Sequence, residues 1–463
     1  MTVVLGADLG TSGLKLAALD PDGSLVADSE ASYPVDRPQP GWAQTDVAVW
    51  RRALDDALAA VRERLGDRPV AALGFSGQMH GAVLVDEAGA ALAPALLWPD
   101  QRAVAEVGRW RELPGPERAA LANPLAAGMT GPLLAWLTVH RPELLARTAT
   151  VLLPKDAVRA TLLPGVDPAV TDRSDASATL LWDVPGNRWS AAATAAAGID
   201  PGLLPAVLPG DTVVGAAELP GGAVPVVVGG ADTPLALLAA GARGGVQVNL
   251  GSGAQLLRPG VRPAPAADPL VHCYADAEAG WYAMAALQNA GTAWGWVQGV
   301  LGLDWAGLAG SLSTSAPGAG GVVFAPFLTG ERGGVAGPDA RGGWSGLSAD
   351  TTRADLARAA LEGVACAIAA GLDLLAPPAG EPVVLTGGGA REPGVQQLLA
   401  DVLDRPVQYV QVRSASAAGA AVLAARGVGL ELAPRRATEP VVDPGRAAAM
   451  AAVRERWVGA VQR

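Results

Sequence analysis

Two distant segments of the chain share one pattern: an apolar run, a turn of glycine and small hydroxyl residues, and a second apolar run. The first is VVLGADL-GTSG-LKLAALD at residues 3–20, and the second is GVQVNLGSGAQLL at residues 245–257. Apolar runs on either side of a glycine turn predict a β-hairpin in each place. Internal duplication is the simplest explanation of the repeat, and it predicts a chain built from two related halves.

The rest of the chain mixes strands with helices, as judged from the spacing of apolar residues and from capping residues. The predicted elements are a third strand at 24–35, a helix from Asp46 to Leu65, a strand at 70–75, a helix at about 353–375, a strand at 382–390 and a helix at 394–403. This mixture predicts an α/β fold. A chain of 463 residues accommodates two domains, which we place at 1–245 and 246–463.

Charge and cysteine usage exclude several classes of protein. The chain has 34 basic and 45 acidic residues and a formal net charge of −11, which argues against a surface that wraps nucleic acid or binds an anionic membrane. Cys273 and Cys366 lack Cys-x-x-Cys spacing, so neither a disulfide framework nor a zinc cage is expected. No signal peptide is recognisable, and the most apolar window, 224–242, contains Pro, Gly and Asp. We therefore expect a cytoplasmic protein without nucleic-acid or membrane partners.

The turn DLGTSG at residues 8–13 places a carboxylate, backbone N–H groups and hydroxyls together. Such a turn can hold phosphate oxygens, and Asp8 can hold hydrated Mg²⁺. An ordinary glycine-rich hairpin is the alternative. The second copy, with Gly251 and Ser252, favours the first interpretation, because two hairpins facing each other can hold a triphosphate from both sides. Neither a Walker A pattern nor a G-x-G-x-x-G Rossmann turn is present.

His80 lies in GQMHG at residues 77–81, a polar loop between two apolar runs. Loops on a rigid sheet commonly carry ligand contacts. A structural hydrogen-bonded histidine is the alternative, and metal binding is unlikely because no second ligand stands at a suitable spacing.

Asp232 follows the apolar segment VVVGGA at residues 226–231. A carboxylate that emerges where a buried strand ends in glycines has the placement of a catalytic base at the carboxyl edge of a sheet. The alternative is a helix cap for the apolar run after Pro234. Polar clusters at 98–102, 155–156 and 330–332 also end apolar segments, and each alone is more often an ion pair or a cap.

Together these motifs resemble those of the FGGY carbohydrate kinases, and of xylulokinases in particular, over nearly the whole chain. DLGTSG at 8–13 resembles the first phosphate hairpin, GQMHG at 77–81 the sugar loop, and LPKD at 153–156 the Pro-Lys-Asp element. The signature GGWSGL at 342–347 precedes DLARAALE at 355–362, and TGGGAR at 386–391 resembles the adenosine-binding glycine triplet.

The resemblance implies two ribonuclease-H-like, actin-like domains that flank a catalytic cleft holding ATP, Mg²⁺ and a sugar. It implies transfer of the γ-phosphoryl group of ATP to a terminal hydroxyl of a ketopentose such as D-xylulose. A homodimer is expected on the same ground. The implied roles are base for Asp232, Mg²⁺ ligand for Asp8, sugar contacts for Met79, His80, Asp100 and Thr233, and nucleotide contacts for Gly10, Thr11, Ser12, Lys15, Gly251, Ser252, Gly387, Gly388 and Gly389.

Three positions depart from the usual xylulokinase pattern. Asp232 is followed by Thr233 and Pro234 where Asn and Ala are usual, the second turn reads GSGA instead of Gly-Thr-Ser-Gly, and Leu133 replaces a Lys. Another FGGY kinase, acting on ribulose, gluconate or a polyol, is therefore one alternative. A non-catalytic sugar sensor is another. A transcriptional repressor is disfavoured, because no helix-turn-helix segment precedes the first strand.

Overall fold

A computed structural model of the protein describes residues 2–241, 245–331 and 334–461. The strands of the first half are β1 (Val3–Leu9), β2 (Gly13–Leu19), β3 (Leu25–Ser32), β4 (Gln44–Thr45), β5 (Val70–Gly77), β6 (Val83–Val85), β7 (Ala95–Leu96), β8 (Thr150–Leu152), β9 (Val170–Asp172), β10 (Trp182–Asp183), β11 (Arg188–Trp189), β12 (Ala206–Leu208), β13 (Val213–Leu219), β14 (Gly222–Val227) and β15 (Gly230–Ala231). Its helices are α1 (Val47–Leu65), α2 (Gly108–Arg111), α3 (Gly115–Ala120), α4 (Thr130–His140), α5 (Pro142–Leu145), α6 (Pro154–Leu162), α7 (Arg173–Ala176), α8 (Ala191–Ala197) and α9 (Asp232–Ala240).

The second half continues the alternation of strands and helices. Its strands are β16 (Val246–Leu250), β17 (Ala254–Pro259), β18 (His272–Ala275), β19 (Trp281–Leu287), β20 (Val323–Ala325), β21 (Gly343–Ser345), β22 (Val383–Thr386), β23 (Val407–Gln411) and β24 (Ala437–Thr438). Its helices are α10 (Gly291–Leu301), α11 (Trp305–Thr314), α12 (Arg353–Leu375), α13 (Pro393–Leu403), α14 (Ala415–Gly427) and α15 (Ala447–Val461).

Two large sheets share one topology. In the first, the order is β13-β14-β5-β1-β2-β3, with β1, β2 and β3 antiparallel and β5 parallel to β1. In the second, the order is β18-β19-β17-β16-β22-β23-β24, with β16, β17 and β19 antiparallel and β22 parallel to β16. The shared order agrees with the predicted repeat, and the predicted α/β fold with two ribonuclease-H-like, actin-like domains is confirmed.

The predicted helices begin where their capping residues indicate. The Asp46 carboxylate accepts a hydrogen bond from the Ala48 amide at 2.8 Å and caps α1. Thr352 and Asp355 form a reciprocal capping box at the start of α12. These contacts satisfy backbone N–H groups that have no partner within the helix, so the local sequence suffices to fix both starts.

Helix α14 belongs to the second half of the sequence but packs against the first sheet. Its residues share one buried apolar cluster with Val4, Ala72 and Leu235. A Cβ atom at Gly6 would lie 1.9 Å from the carbonyl oxygen of Ala417, so only glycine permits this approach. The chain therefore crosses between the domains after β23. The predicted boundary at 245 and 246 borders residues 242–244, which lie outside the described residues, and it stays a prediction.

None of the helices within the described residues combines the length and apolar character needed to cross a lipid bilayer.

Candidate active site

A cavity of about 470 Å³ lies between the two domains. Both duplicated hairpins border it, since Asp8 and Lys15 come from the first and Asn249 and Gln255 from the second. Other lining residues are Thr233, Thr386, Gly387, Gly388, Arg391, Tyr409 and Ser416. Of the predicted site residues, Asp8, Lys15, Thr233, Gly387 and Gly388 thus border one space.

Asp8 lies near the end of β1, opposite Ser76 of β5. The Ser76 hydroxyl donates to Asp8 Oδ1 at 2.8 Å. Burial raises the pKa of Asp8, while the bond from Ser76 and the charge of Lys15 oppose that shift. The result is an oriented carboxylate at the wall of the cavity.

The first turn is closed by a hydrogen bond of 2.9 Å from the Gly10 amide to the Gly13 carbonyl. The Tyr33 hydroxyl donates to the Gly10 carbonyl at 2.7 Å. Trp98 Nε1 donates to the Thr11 hydroxyl at 2.8 Å, and Ser12 is exposed. Side chains from the segments that follow β3 and β7 therefore hold the turn in place.

The second turn is closed in the same way, by a hydrogen bond of 2.9 Å from the Gly251 amide to the Gly253 carbonyl. Gly251 and Ser252 are both exposed. Behind the turn, Asn249 and Gln255 take the positions that Asp8 and Lys15 hold in the first hairpin. The sequence analysis did not single out Asn249 or Gln255, although aligning the two repeats residue by residue identifies both.

Asp232 is the first residue of α9, directly after β15, which pairs with Ser76 and Gly77. The Thr233 amide donates to Asp232 Oδ1 at 2.6 Å and the Thr233 hydroxyl at 3.2 Å. Burial, followed by the negative charge of Asp8, raises the pKa of Asp232 to about 7. Ala231, rather than Asp232, occupies the cap position of α9, so the alternative role as N-cap does not apply.

The loop GQMHG at residues 77–81 lies against strands of the second domain. The Tyr282 hydroxyl of β19 donates to Met79 Sδ at 3.9 Å, and the rings of His80 and Tyr274 are 6.1 Å apart. His80 has a φ of +67°, and its Nδ1 donates to the Ala178 carbonyl at 2.5 Å. Both tyrosines come from a hairpin that the sequence motifs did not identify.

Asp100, for which the resemblance implies a sugar contact, is fully buried. The Arg102 guanidinium donates to both carboxylate oxygens, at 2.9 Å from Nε and 2.8 Å from Nη2, and the Ala43 amide donates at 2.7 Å. The guanidinium lies 3.7 Å from the ring centroid of Trp42. Both carboxylate oxygens of Asp100 thus accept hydrogen bonds from within the protein.

The glycine triplet follows β22 and comes close to β16. Gly387 has a φ of +87°, and a Cβ there would lie 2.5 Å from the Leu250 carbonyl oxygen. A side chain at this position would therefore displace the backbone of the second hairpin. Nearby, Arg391 Nε donates to the Tyr409 hydroxyl at 3.3 Å.

Within the described residues, no group of three or more histidine, cysteine or acidic side chains could by itself hold a metal ion. Mg²⁺ needs no such cage, because it usually keeps several waters and binds one or two carboxylates together with substrate phosphates. The oriented Asp8 carboxylate at the cavity wall fits that arrangement.

Comparison with known proteins agrees with the fold and the motifs. Residues 3–239 match the N-terminal domain of the FGGY family of carbohydrate kinases, and residues 246–428 match its C-terminal domain. The xylulose kinase of Escherichia coli K12 is 33% identical over 434 residues, which are 91% of this chain and 88% of the relative. The xylulose kinase of Streptomyces coelicolor is 33% identical over 441 residues, 91% of this chain and 87% of the relative.

A solved structure named as a xyloylose kinase from Brucella ovis superposes with a TM-score of 0.90. It is 28% identical, and the match covers 99% of each chain.

Proposed function

This chain belongs to the FGGY family of carbohydrate kinases, and we propose that its acceptor is a ketopentose, D-xylulose, which it converts to D-xylulose 5-phosphate. As a sugar kinase it transfers a phosphoryl group from ATP to an alcohol. The observation that carries the proposal is that Asp232 lies close enough to Asp8 for the charge of Asp8 to raise its pKa, while Asp8 and the next residue, Thr233, line the cavity between the domains. Relatives named xylulose kinase support the choice of sugar.

Asp232 is proposed as the base that accepts the proton of the attacking hydroxyl. A base works best when its pKa lies near the working pH, and burial raises the pKa of Asp232 to about 7. The Thr233 amide, which donates at 2.6 Å, fixes one carboxylate oxygen. The other oxygen is left to receive the proton.

The phosphates are proposed to bind between the two turns, where Gly10, Thr11, Ser12, Gly251 and Ser252 offer backbone N–H groups and hydroxyls. Asp8 would hold Mg²⁺, which supplies charge neutralisation on the phosphates when bound. Lys15 adds a positive charge opposite Asp8 across the hairpin. Phosphoryl transfer depends mainly on such positioning and charge neutralisation. The glycine triplet 387–389 is proposed to contact the adenosine.

Met79, His80 and Thr233 are proposed to contact the sugar. The positive φ of His80 and its bond to the Ala178 carbonyl fix the direction of its ring. Asp100 would contribute through Arg102 and the loop they hold, rather than by touching the sugar.

One observation favours a second candidate, an FGGY kinase with another acceptor such as ribulose, gluconate or a polyol. The Thr233 hydroxyl donates to Asp232 at 3.2 Å, at the position where xylulokinases usually have an Asn. The hydrogen-bonding group offered to the sugar is therefore different here.

The test is an assay of ADP release over a panel of ketopentoses, polyols and sugar acids. D-Xylulose is expected to give the highest kcat/KM. A higher value for another sugar assigns that sugar instead, and no turnover with any member of the panel would support the non-catalytic sensor.

A further inference from the structure

A buried cluster of charged side chains lies beneath the candidate site. Lys155 Nζ is 2.6 Å from Asp156, 3.1 Å from Asp172 and 3.1 Å from Asp175, and all four side chains are at most 5% exposed. Arg159 Nη1 lies 2.6 Å from Asp156 and is also buried. We call these five residues the Lys155 cluster.

The Lys155 cluster combines three carboxyl groups with two cationic side chains. Burial raises the pKa of Asp175 well above its ordinary value; Lys155 opposes this shift and the charge of Asp172 adds to it. Burying ions in this way is expensive, and apolar side chains of similar volume often stabilise a fold as well or better. A buried ion cluster is therefore weak evidence for stability, and its contacts show a more specific role.

Two hydrogen bonds connect the Lys155 cluster to residues 228–231, the segment that leads into Asp232. Arg159 Nη1 donates to the Val228 carbonyl at 2.8 Å. The Ala231 amide donates to the Ser174 hydroxyl at 2.9 Å, and that hydroxyl donates to Asp172 Oδ2 at 2.5 Å. The segment is thus held at its first and last residues by groups tied to one buried lysine.

The pairing of this segment with β5 is interrupted. Strand β14 pairs with β5 at Val226, and pairing resumes only at β15. Gly229 between them has a φ of +88°, and a Cβ there would lie 2.1 Å from the Phe75 carbonyl oxygen. Within this gap the amides of Val228 and Gly229 donate to the carbonyls of Thr212 and Gly210, at 3.0 and 2.8 Å. The side-chain contacts at Val228 and Ala231 add to these backbone bonds in fixing where α9 begins.

We propose that Ser174 and Arg159 are positioning residues that hold Asp232 in place through the backbone of residues 228–231, with the Lys155 cluster as their anchor. The inference rests on the proposed role of Asp232 as the base. Neither contact reaches the Asp232 carboxylate, and Ser174 and Arg159 do not border the interdomain cavity. Their loss should therefore lower kcat and leave the binding of ATP nearly unchanged.

The first variant is Ser174→Ala, which removes the acceptor of the Ala231 amide. We expect kcat to fall about 10- to 100-fold, since small misplacements of a catalytic group have effects up to this scale. The KM for ATP should stay within about twofold of the wild-type value, because Ser174 does not border the cavity where ATP is proposed to bind. A raised KM for ATP with unchanged kcat would overturn the proposal.

Ser190→Ala is the matched control. The Ser190 hydroxyl is also largely buried, and it accepts a backbone N–H, from Ala193 at 3.2 Å, at the start of α8. Within the described residues its hydrogen bonds go to Leu181, Ala193 and Thr194. The kcat of this variant should therefore equal that of the wild type. An equal loss of kcat in both variants would show a general effect of losing a buried hydroxyl and would overturn the proposal.

Arg159→Lys is the second variant, in case Ser174→Ala does not fold. It keeps the positive charge beside Asp156 but cannot reproduce the fork that reaches Asp156, Val228 and Val170. The same selective loss of kcat is expected, and an unchanged kcat would contradict the proposal.

A double-mutant cycle with Asp232→Asn separates the inference from the function on which it rests. If Ser174 acts through Asp232, then Ser174→Ala should change kcat by less than about twofold in the Asp232→Asn background. Equal losses in both backgrounds would overturn the positioning role alone. Full activity of Asp232→Asn itself would instead refute the assignment of the base.

Discussion

The two duplicated hairpins share a backbone frame but differ in charge. In the first, Asp8 of β1 lies opposite Lys15 of β2, and Ser76 of the neighbouring parallel strand donates to Asp8 at 2.8 Å. The frame therefore presents an anion and a cation to the cleft, each at a position set by strand register.

In the second hairpin, Asn249 of β16 lies opposite Gln255 of β17, and the amide of Asn249 donates to Gln255 Oε1 at 3.3 Å. Thr386 of the neighbouring parallel strand donates to Asn249 Oδ1 at 3.4 Å. Each position of the first hairpin thus has a neutral counterpart. The same backbone arrangement therefore carries charged side chains in the first hairpin and neutral hydrogen-bonding side chains in the second.

Asp8→Asn replaces the carboxylate of the first hairpin with the neutral amide that Asn249 provides in the second. Among these substitutions it should lower activity the most. We expect kcat/KM to fall about 100-fold, the scale of removing one preorganised electrostatic group. The Mg²⁺ concentration needed for half-maximal rate should rise, which a Mg²⁺ titration at saturating ATP measures.

Asn249→Asp is the matched control for Asp8→Asn. It should raise the KM for ATP by repulsion of the phosphates, and an unchanged Mg²⁺ dependence is expected. The same Mg²⁺ response in both variants would contradict the comparison.

The acid side of the pH profile should report Asp232. Only the carboxylate accepts a proton, and burial and the charge of Asp8 raise its pKa to about 7. Below that pH, kcat/KM should fall about tenfold per pH unit as the carboxylate is protonated. In Asp8→Asn one cause of the raised pKa is gone, so the residual activity should persist to lower pH. Coincident acid limbs in the two proteins would show that Asp8 does not act on Asp232.

Asn249→Ala tests the neutral side and should have a smaller effect. Losing hydrogen bonds between neutral groups changes free energies by about 0.5–1.5 kcal/mol, so we expect the KM for ATP to rise about two- to tenfold. The kcat should remain near the wild-type value. Initial rates at varied ATP and saturating sugar measure both constants, and a loss confined to kcat would contradict a role in nucleotide binding.

Glu30→Gln should have the smallest effect. Glu30 lies 3.9 Å from Lys15, and both side chains are about half exposed. Exposed ion pairs contribute about 0–1 kcal/mol, so the thermal midpoint should hardly change and kcat/KM should stay within about twofold. A larger loss of activity would show that Glu30 fixes Lys15 for phosphate binding.

Individual helices and hairpins were predictable because the residues that determine them lie close together in the sequence. The caps at Asp46 and Thr352 and the apolar spacing behind them predicted α1 and α12. The turn motifs predicted both hairpins, and their repetition predicted the related sheets. Asp8 and Thr233 both belong to motifs in which polar residues stand where a strand ends. That pattern also accounts for their placement at one cavity.

Other features depend on contacts between distant residues. The Pro-Lys-Asp element identified Lys155, but its partners Asp172 and Asp175 come from a later segment and only folding brings them together. Asp100 was expected to contact the sugar, and its bond to the Ala43 amide could not be read from the sequence. A cytoplasmic location and a homodimer stay predictions.

The sequence by itself determined the family, the α/β class, the two related halves and the acidic residues available for chemistry, because motifs and periodicity are local properties. Tertiary structure decided which of those residues share a space and how they are charged. The packing of α14 on the first sheet, the burial that raises the pKa of Asp232, and the anchoring of residues 228–231 all arise between segments far apart in the chain. The free energies of these interactions depend on burial and on the distances between the groups, and only the folded chain defines both.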